Sequence, residues 1–204
     1  MIKTDKILQE LQKVRWHVAE KTFGNDHATL IGLLVDWWIS LSPTTHTALE
    51  GGPSNGHSGK GKRGQCDALL CDKGLPAGVL EVEGSRCLYT ARKIGSFFVP
   101  RNTELKTLQF GILILYAYEP VGRGKDRHLP LAEYKETLQQ VQSVTKNCPG
   151  KTVVVINIGK QYVRQHSGIR AQTEYYFGEP SKIQGRLFRN GRQSETKTFW
   201  EKTG

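Results

Sequence analysis

Arg63–Gly84, RGQCDALLCDKGLPAGVLEVEG, holds two apolar segments, Cys66–Cys71 and Ala77–Val82, joined by a turn containing Gly74 and Pro76. Each segment carries acids for which a purely structural strand has no use. In a strand over residues 78–84 the side chains alternate between faces, so Val79, Glu81 and Glu83 share one side and Leu80 and Val82 the other. A neighbouring strand brings Asp67 beside that acidic pair. Three carboxylates at the end of an apolar hairpin repel one another and lose hydration, a cost that a cation among them relieves. The stretch therefore reads as a β-hairpin with a metal-site signature at one end.

Upstream, Thr44–Glu50 is β-prone and reads as a first strand. Residues 51–64, GGPSNGHSGKGKRG, are too rich in Gly and Ser to pack and read as a mobile loop. That loop carries Lys60, Lys62 and Arg63, either to close on a phosphate chain or simply as a solvated connection. Nearer the N-terminus, Ile7, Leu8, Leu11, Val14 and Val18 have the spacing of one amphipathic helix over residues 3–20. A more apolar helix follows over His27–Leu41, with Asp26 as its N-cap, Pro43 beyond its end, and Trp37 and Trp38 as core residues.

Downstream of the hairpin the spacing predicts a helix over residues 86–98. A strand buried on both faces follows over Leu108–Tyr118, then a basic loop over residues 121–128. Pro130–Lys146 is a helix and Lys151–Ile158 a second buried strand. Residues 170–200 mix aromatics and charges without helical period, and Asn190-Gly191 signals a type I′ hairpin. The order implies an α/β fold, a mixed β-sheet flanked by helices with a small C-terminal β addition. Residues 1–162 form the core domain including the N-terminal helices, and residues 163–204 a basic, β-rich extension of the same domain.

Composition narrows the function. No apolar run approaches the roughly 18–20 residues of a membrane span, and the N-terminus lacks the apolar centre of a secretion signal. A cytoplasmic protein without a membrane partner is expected. The four cysteines and six histidines show neither CxxC nor HxxxH spacing, which argues against zinc. The cysteines read as buried thiols, with Cys66 and Cys71 on opposite strand faces. No phosphate-loop motif is present, which excludes an intrinsic nucleotide motor of that kind. The formal charge is +10 at pH 7. Its positive part concentrates in residues 60–63, 86–93 and 123–127 and from Arg164 onward, while acids gather in the hairpin and two predicted helices. A basic surface around an acidic centre suits a polyanionic backbone held against a metal.

The order of Asp67, a turn, Glu81-x-Glu83 on the next strand, a helix and a buried strand resembles the PD-(D/E)XK nuclease superfamily. That group includes many restriction endonucleases, Holliday junction resolvases and repair nucleases, and the resemblance spans about residues 44–160. It implies a restriction endonuclease-like core and a metal-dependent DNA endonuclease that hydrolyses phosphodiester bonds. Hard divalent cations want oxygen ligands, so Mg²⁺, or Mn²⁺ in its place, is the expected cofactor. Asp67 and Glu81 would supply carboxylates, and the family pattern adds the main-chain carbonyl of Val82. Most members have Lys where this chain has Glu83. A carboxylate there reads as a general base or as a ligand for a second metal. The missing positive charge is then sought on the following helix, in Lys93 first and Arg86 next, with Arg86 better read as a plain phosphate contact. Glu50 is preferred over Glu20 as the further upstream acid.

Lys60, Lys62, Arg63, Arg86, Arg186, Arg189 and Arg192 are the expected nucleic-acid contacts, with DNA the expected partner rather than RNA. A homodimer follows by analogy, since cutting both strands usually needs two active sites. A catalytically inactive nucleic-acid-binding module on the same fold is the alternative, motivated by the absent motif Lys.

Overall fold

Two segments, Phe110–Tyr116 (FGILILY) and Thr152–Ile158 (TVVVINI), are buried at every position. Strands covered by helices on both faces need such unbroken apolar character. The computed structural model describes residues 4–21, 26–49, 65–83, 87–99, 105–116, 131–158, 160–166, 169–176 and 182–201. In chain order the helices are α1 (Ile7–Leu11), α2 (His17–Lys21), α3 (Asp26–Ser40), α4 (Cys87–Phe98) and α5 (Leu131–Asn147). The strands are β1 (Thr45–Leu49), β2 (Ala68–Asp72), β3 (Leu75–Glu83), β4 (Phe110–Tyr116), β5 (Thr152–Ile158), β6 (Lys160–His166), β7 (Ile169–Tyr176), β8 (Lys182–Arg189) and β9 (Arg192–Glu201).

A seven-stranded mixed sheet runs in the order β1-β2-β3-β4-β5-β8-β9. Its centre, β3-β4-β5, is parallel, and both flanks are antiparallel. One face packs on α1, α2 and α3, where Trp16, Leu30, Leu34 and Trp38 meet Leu80, Val82, Ile112 and Ile156. The other face packs on α4 and α5, where Ile94, Phe97, Val141 and Val144 meet Val79, Leu113 and Val155. The α/β fold expected from the order of elements is present. Both Trp37 and Trp38 are buried, and the Trp38 indole donates to the Cys71 carbonyl at 2.9 Å. Among the described residues no helix is long and apolar enough to cross a membrane.

Several details differ from the sequence reading. The single N-terminal helix is two short ones. Trp16 turns inward between them, stacks on Phe199 at 5.4 Å and donates its indole N–H to the Leu11 carbonyl at 2.8 Å, engaging an acceptor at the end of α1. Asp26 is the first residue of α3 rather than its cap. The β2–β3 turn is Lys73-Gly74, with φ of 52° and 78°. Pro76 lies inside β3, opposite Cys71 beside a register shift, where the lack of an N–H is tolerated. Cys66 precedes β2, so strand alternation does not reach it; both Cys66 and Cys71 belong to the α4/α5 side.

The C-terminal strands β8 and β9 are continuous with the main sheet through the β5–β8 pairing. Their turn is Asn190-Gly191, φ 50° and 75°, the left-handed pair that a type I′ hairpin requires. The strands outside the main sheet are β6 and β7.

Candidate active site

The C-terminal ends of the parallel strands carry the acids. Glu81 lies on β3 between Val79 and Glu83 on the face covered by α4, and is 3% exposed. The helix that follows β3 returns antiparallel to it. Thr90 and Lys93 sit one turn apart on α4, about 4.5 Å of helix rise, against Glu83 and Glu81, about 6.6 Å apart along the strand. The two pairs therefore face each other rung by rung. Thr90 Oγ1 donates to Glu83 Oε2 at 3.1 Å, and Lys93 Nζ donates to Glu81 Oε2 at 2.9 Å. Lys93 Nζ also stands 2.7 Å from Glu81 Oε1, so the ammonium faces both carboxylate oxygens. Among the described residues, Glu81 Oε1 is buried and meets no hydrogen-bond donor other than this ammonium.

Burial pushes the Glu81 carboxyl up to about 8, only partly offset by the charge and hydrogen bond of Lys93. The charges of Asp67 and Glu83 add to the rise. Asp67 behaves oppositely. Burial alone would raise it, but His27, the Val82 N–H and the Lys93 charge together hold it below the usual carboxylate range. Its Oδ2 accepts from the Val82 N–H at 2.7 Å and lies 3.5 Å from His27 Nε2, on the first turn of α3. An extended residue sends its N–H and C=O to the same side. The Val82 carbonyl therefore faces the edge where Asp67 stands, beyond the end of the β2–β3 ladder. Cys66 is buried nearby, and burial, reinforced by the Glu81 charge, pushes its thiol up to about 12. It is a neutral wall group.

Among the described residues no three His, Cys, Asp or Glu side chains converge into a ready ligand set. Mg²⁺ needs less, since it binds through one or two carboxylates and keeps water or substrate oxygens. The buried Glu81 carboxyl, the ionised Asp67 and the Val82 carbonyl fit that requirement. Comparisons with known protein families, with curated proteins and with solved structures find no match to this chain. What the site can do rests on its own groups.

The structure brings Asp67, Glu81, Val82, Glu83 and Lys93 to one end of the sheet. Glu50, Lys60, Lys62, Arg63 and Arg86 lie outside the described residues, as does the Glu20 side chain. Arg186 shares a row and a face with Glu81 through the pairings Glu81–Leu113, Leu113–Val155 and Val155–Arg186. Its Nε is buried without a hydrogen bond, and its charge acts on Tyr134, to whose hydroxyl the buried Asn157 amide donates. Arg189 and Arg192 are elsewhere. Arg189 pairs with Thr152 at the opposite end of β5 and donates to Thr152 Oγ1 at 3.3 Å and Thr4 Oγ1 at 3.0 Å. The Asn190-Gly191 turn points this pair away from the acids, so neither arginine belongs to their site.

His27 was not singled out by the sequence, where six scattered histidines show no pairing motif. Its one signal is its place at the start of a predicted helix. Hydrogen bonding to Asp67 raises the His27 imidazole above its ordinary 6.5, against the opposing effect of burial. Stability from this contact is therefore complete below 6.5 and is lost as pH rises through the folded-state value. With His27 half exposed, His27→Gln is expected to cost at most about 1 kcal/mol at pH 5.5 and close to nothing at pH 8.5. Urea denaturation at the two pH values checks it.

Proposed function

We propose that this chain is a metal-dependent DNA endonuclease of the PD-(D/E)XK type, with a restriction endonuclease-like core, that hydrolyses phosphodiester bonds using Mg²⁺ or Mn²⁺. The observation that carries this reading is Lys93 on Glu81. A cation from α4 stands where the motif position, occupied here by Glu83, supplies none. Asp67, Glu81 and the Val82 carbonyl would hold the metal, which when bound supplies charge neutralisation at the scissile phosphate and acidifies water at neutral pH. Lys93, released from Glu81 Oε2, is placed to donate to a phosphoryl oxygen as negative charge develops on it. Glu83, oriented by the Thr90 hydroxyl, accepts a proton from the attacking water.

Supercoiled plasmid, single-stranded and branched DNA, and RNA, each in Mg²⁺ and in Mn²⁺, test the proposal. Wild type is expected to nick DNA. Asp67→Asn is expected to bind DNA as before and to cleave at least about 10²-fold more slowly. Binding by wild type without any nicking would make the chain an inactive binding module. Cleavage by Asp67→Asn at the wild-type rate would remove Asp67 from the site.

A further inference from the structure

The strands β6 and β7 pair with each other, and among the described residues no third strand joins them. They form an excursion from one point of the main sheet. β5 ends at Ile158, β8 begins at Lys182, and Ile158 is paired with Ile183, so the chain leaves and returns between neighbouring strands. That point is at the acid end. Glu83, Leu115 and Asn157 form one row across the parallel strands β3, β4 and β5, and Ile158 is the next residue. An isolated two-stranded ribbon is marginally stable in water, and although Ile169, Ala171 and Thr173 alternate with polar residues in β7, β6 has no apolar alternation to match them. Its strands read KQYVRQH and IRAQTEYY, with Lys160, Arg164 and Arg170 against a single acid, Glu174. The register shifts between Val163 and Gln165, and such a bulge strengthens the local twist.

We propose that this ribbon enters the major groove of duplex DNA and selects the duplex site presented to the acids, an inference that rests on the nuclease reading. The major groove of B-form DNA is about 12 Å wide and admits a two-stranded ribbon. The major groove of A-form RNA is deep and narrow and does not. The cations complement the phosphates bordering the groove. The polar and tyrosine-rich positions between them suit base edges better than a protein interior.

The test uses the full chain with Lys160, Arg164 and Arg170 all changed to Gln, and a second variant in which a two-residue turn replaces residues 159–181. Fluorescence anisotropy with duplex DNA, duplex RNA and single-stranded DNA is recorded across a salt series in EDTA. The triple variant is expected to lose at least about 10-fold in duplex DNA affinity, and its slope of log Kd against log salt is expected to fall by about 2–3. The short-turn variant is expected to lose discrimination among duplex sequences. Both are expected to keep the wild-type urea midpoint. Unchanged duplex affinity and salt slope in the triple variant would overturn the proposal, as would duplex RNA bound as tightly as duplex DNA with the same dependence on these residues. A wild type with ribbon-dependent DNA binding that never cuts, in Mg²⁺ or Mn²⁺, would sink the nuclease reading and leave the ribbon standing. Cleavage with ribbon-independent binding would sink the ribbon alone.

Discussion

Glu81→Gln is expected to lower Mg²⁺-dependent cleavage by at least roughly 10²–10³-fold while making the fold less sensitive to alkali. The first effect follows from removing the buried carboxylate that would share the metal with Asp67. The second follows from linkage. Burial raises the folded-state value of Glu81 to about 8, above its ordinary 4.5. Stability tied to this group is complete below the ordinary value and is lost as pH rises through about 8. Gln takes no part in that loss and can still accept from Lys93. Between pH 4.5 and 9 wild type should lose on the order of 3–5 kcal/mol relative to the variant. His27 titrates in both proteins and cancels in the difference. Urea denaturation across that range measures it, and parallel stability curves would mean that Glu81 carries no buried charge.

Lys93→Met is expected to have the opposite signature. The Lys93 and Glu81 side chains are 18% and 4% exposed, so solvent replaces little of what the pair loses. Removing one partner of such a pair costs about 3–5 kcal/mol when the remaining charge stays buried. Here that charge is conditional. Without Lys93 the Glu81 value rises further, and the carboxyl escapes the penalty by keeping its proton. The variant should be strongly destabilised at pH 9 and only slightly at pH 6. Cleavage should fall by roughly 10²–10³-fold, with partial rescue in Lys93→Arg. A variant with wild-type activity and pH-independent stability would make the ion pair incidental.

Much of the frame could be read from residue patterns. Unbroken apolar character announced β4 and β5, and the two-residue period placed Glu81 and Glu83 on one face. Lys93 entered only as a search for a missing charge. The one-turn match of Thr90 and Lys93 to Glu83 and Glu81 needs the helix laid on its strand. His27 was invisible because its partner, Asp67, lies forty residues further along the chain and arrives only through tertiary packing. The distance of Arg189 and Arg192 from the acids was hidden for a related reason. An Asn-Gly signal marks a turn but not the sheet end to which it points, and only the β5–β8 register shows that this one lies opposite the acids. The merging of β8 and β9 with the main sheet was likewise hidden, since the alternating burial of β8 and the largely exposed β9 match an outer antiparallel hairpin as well as a separate one.

Anomalous scattering from Mn²⁺-soaked crystals shows directly whether a divalent cation binds between these acids. A peak is expected within coordination distance of a Glu81 carboxylate oxygen and of Asp67, with Lys93 Nζ drawn away from Glu81. Saturating Mn²⁺ that leaves no peak there, with the Lys93–Glu81 contact intact, would contradict the proposed metal site.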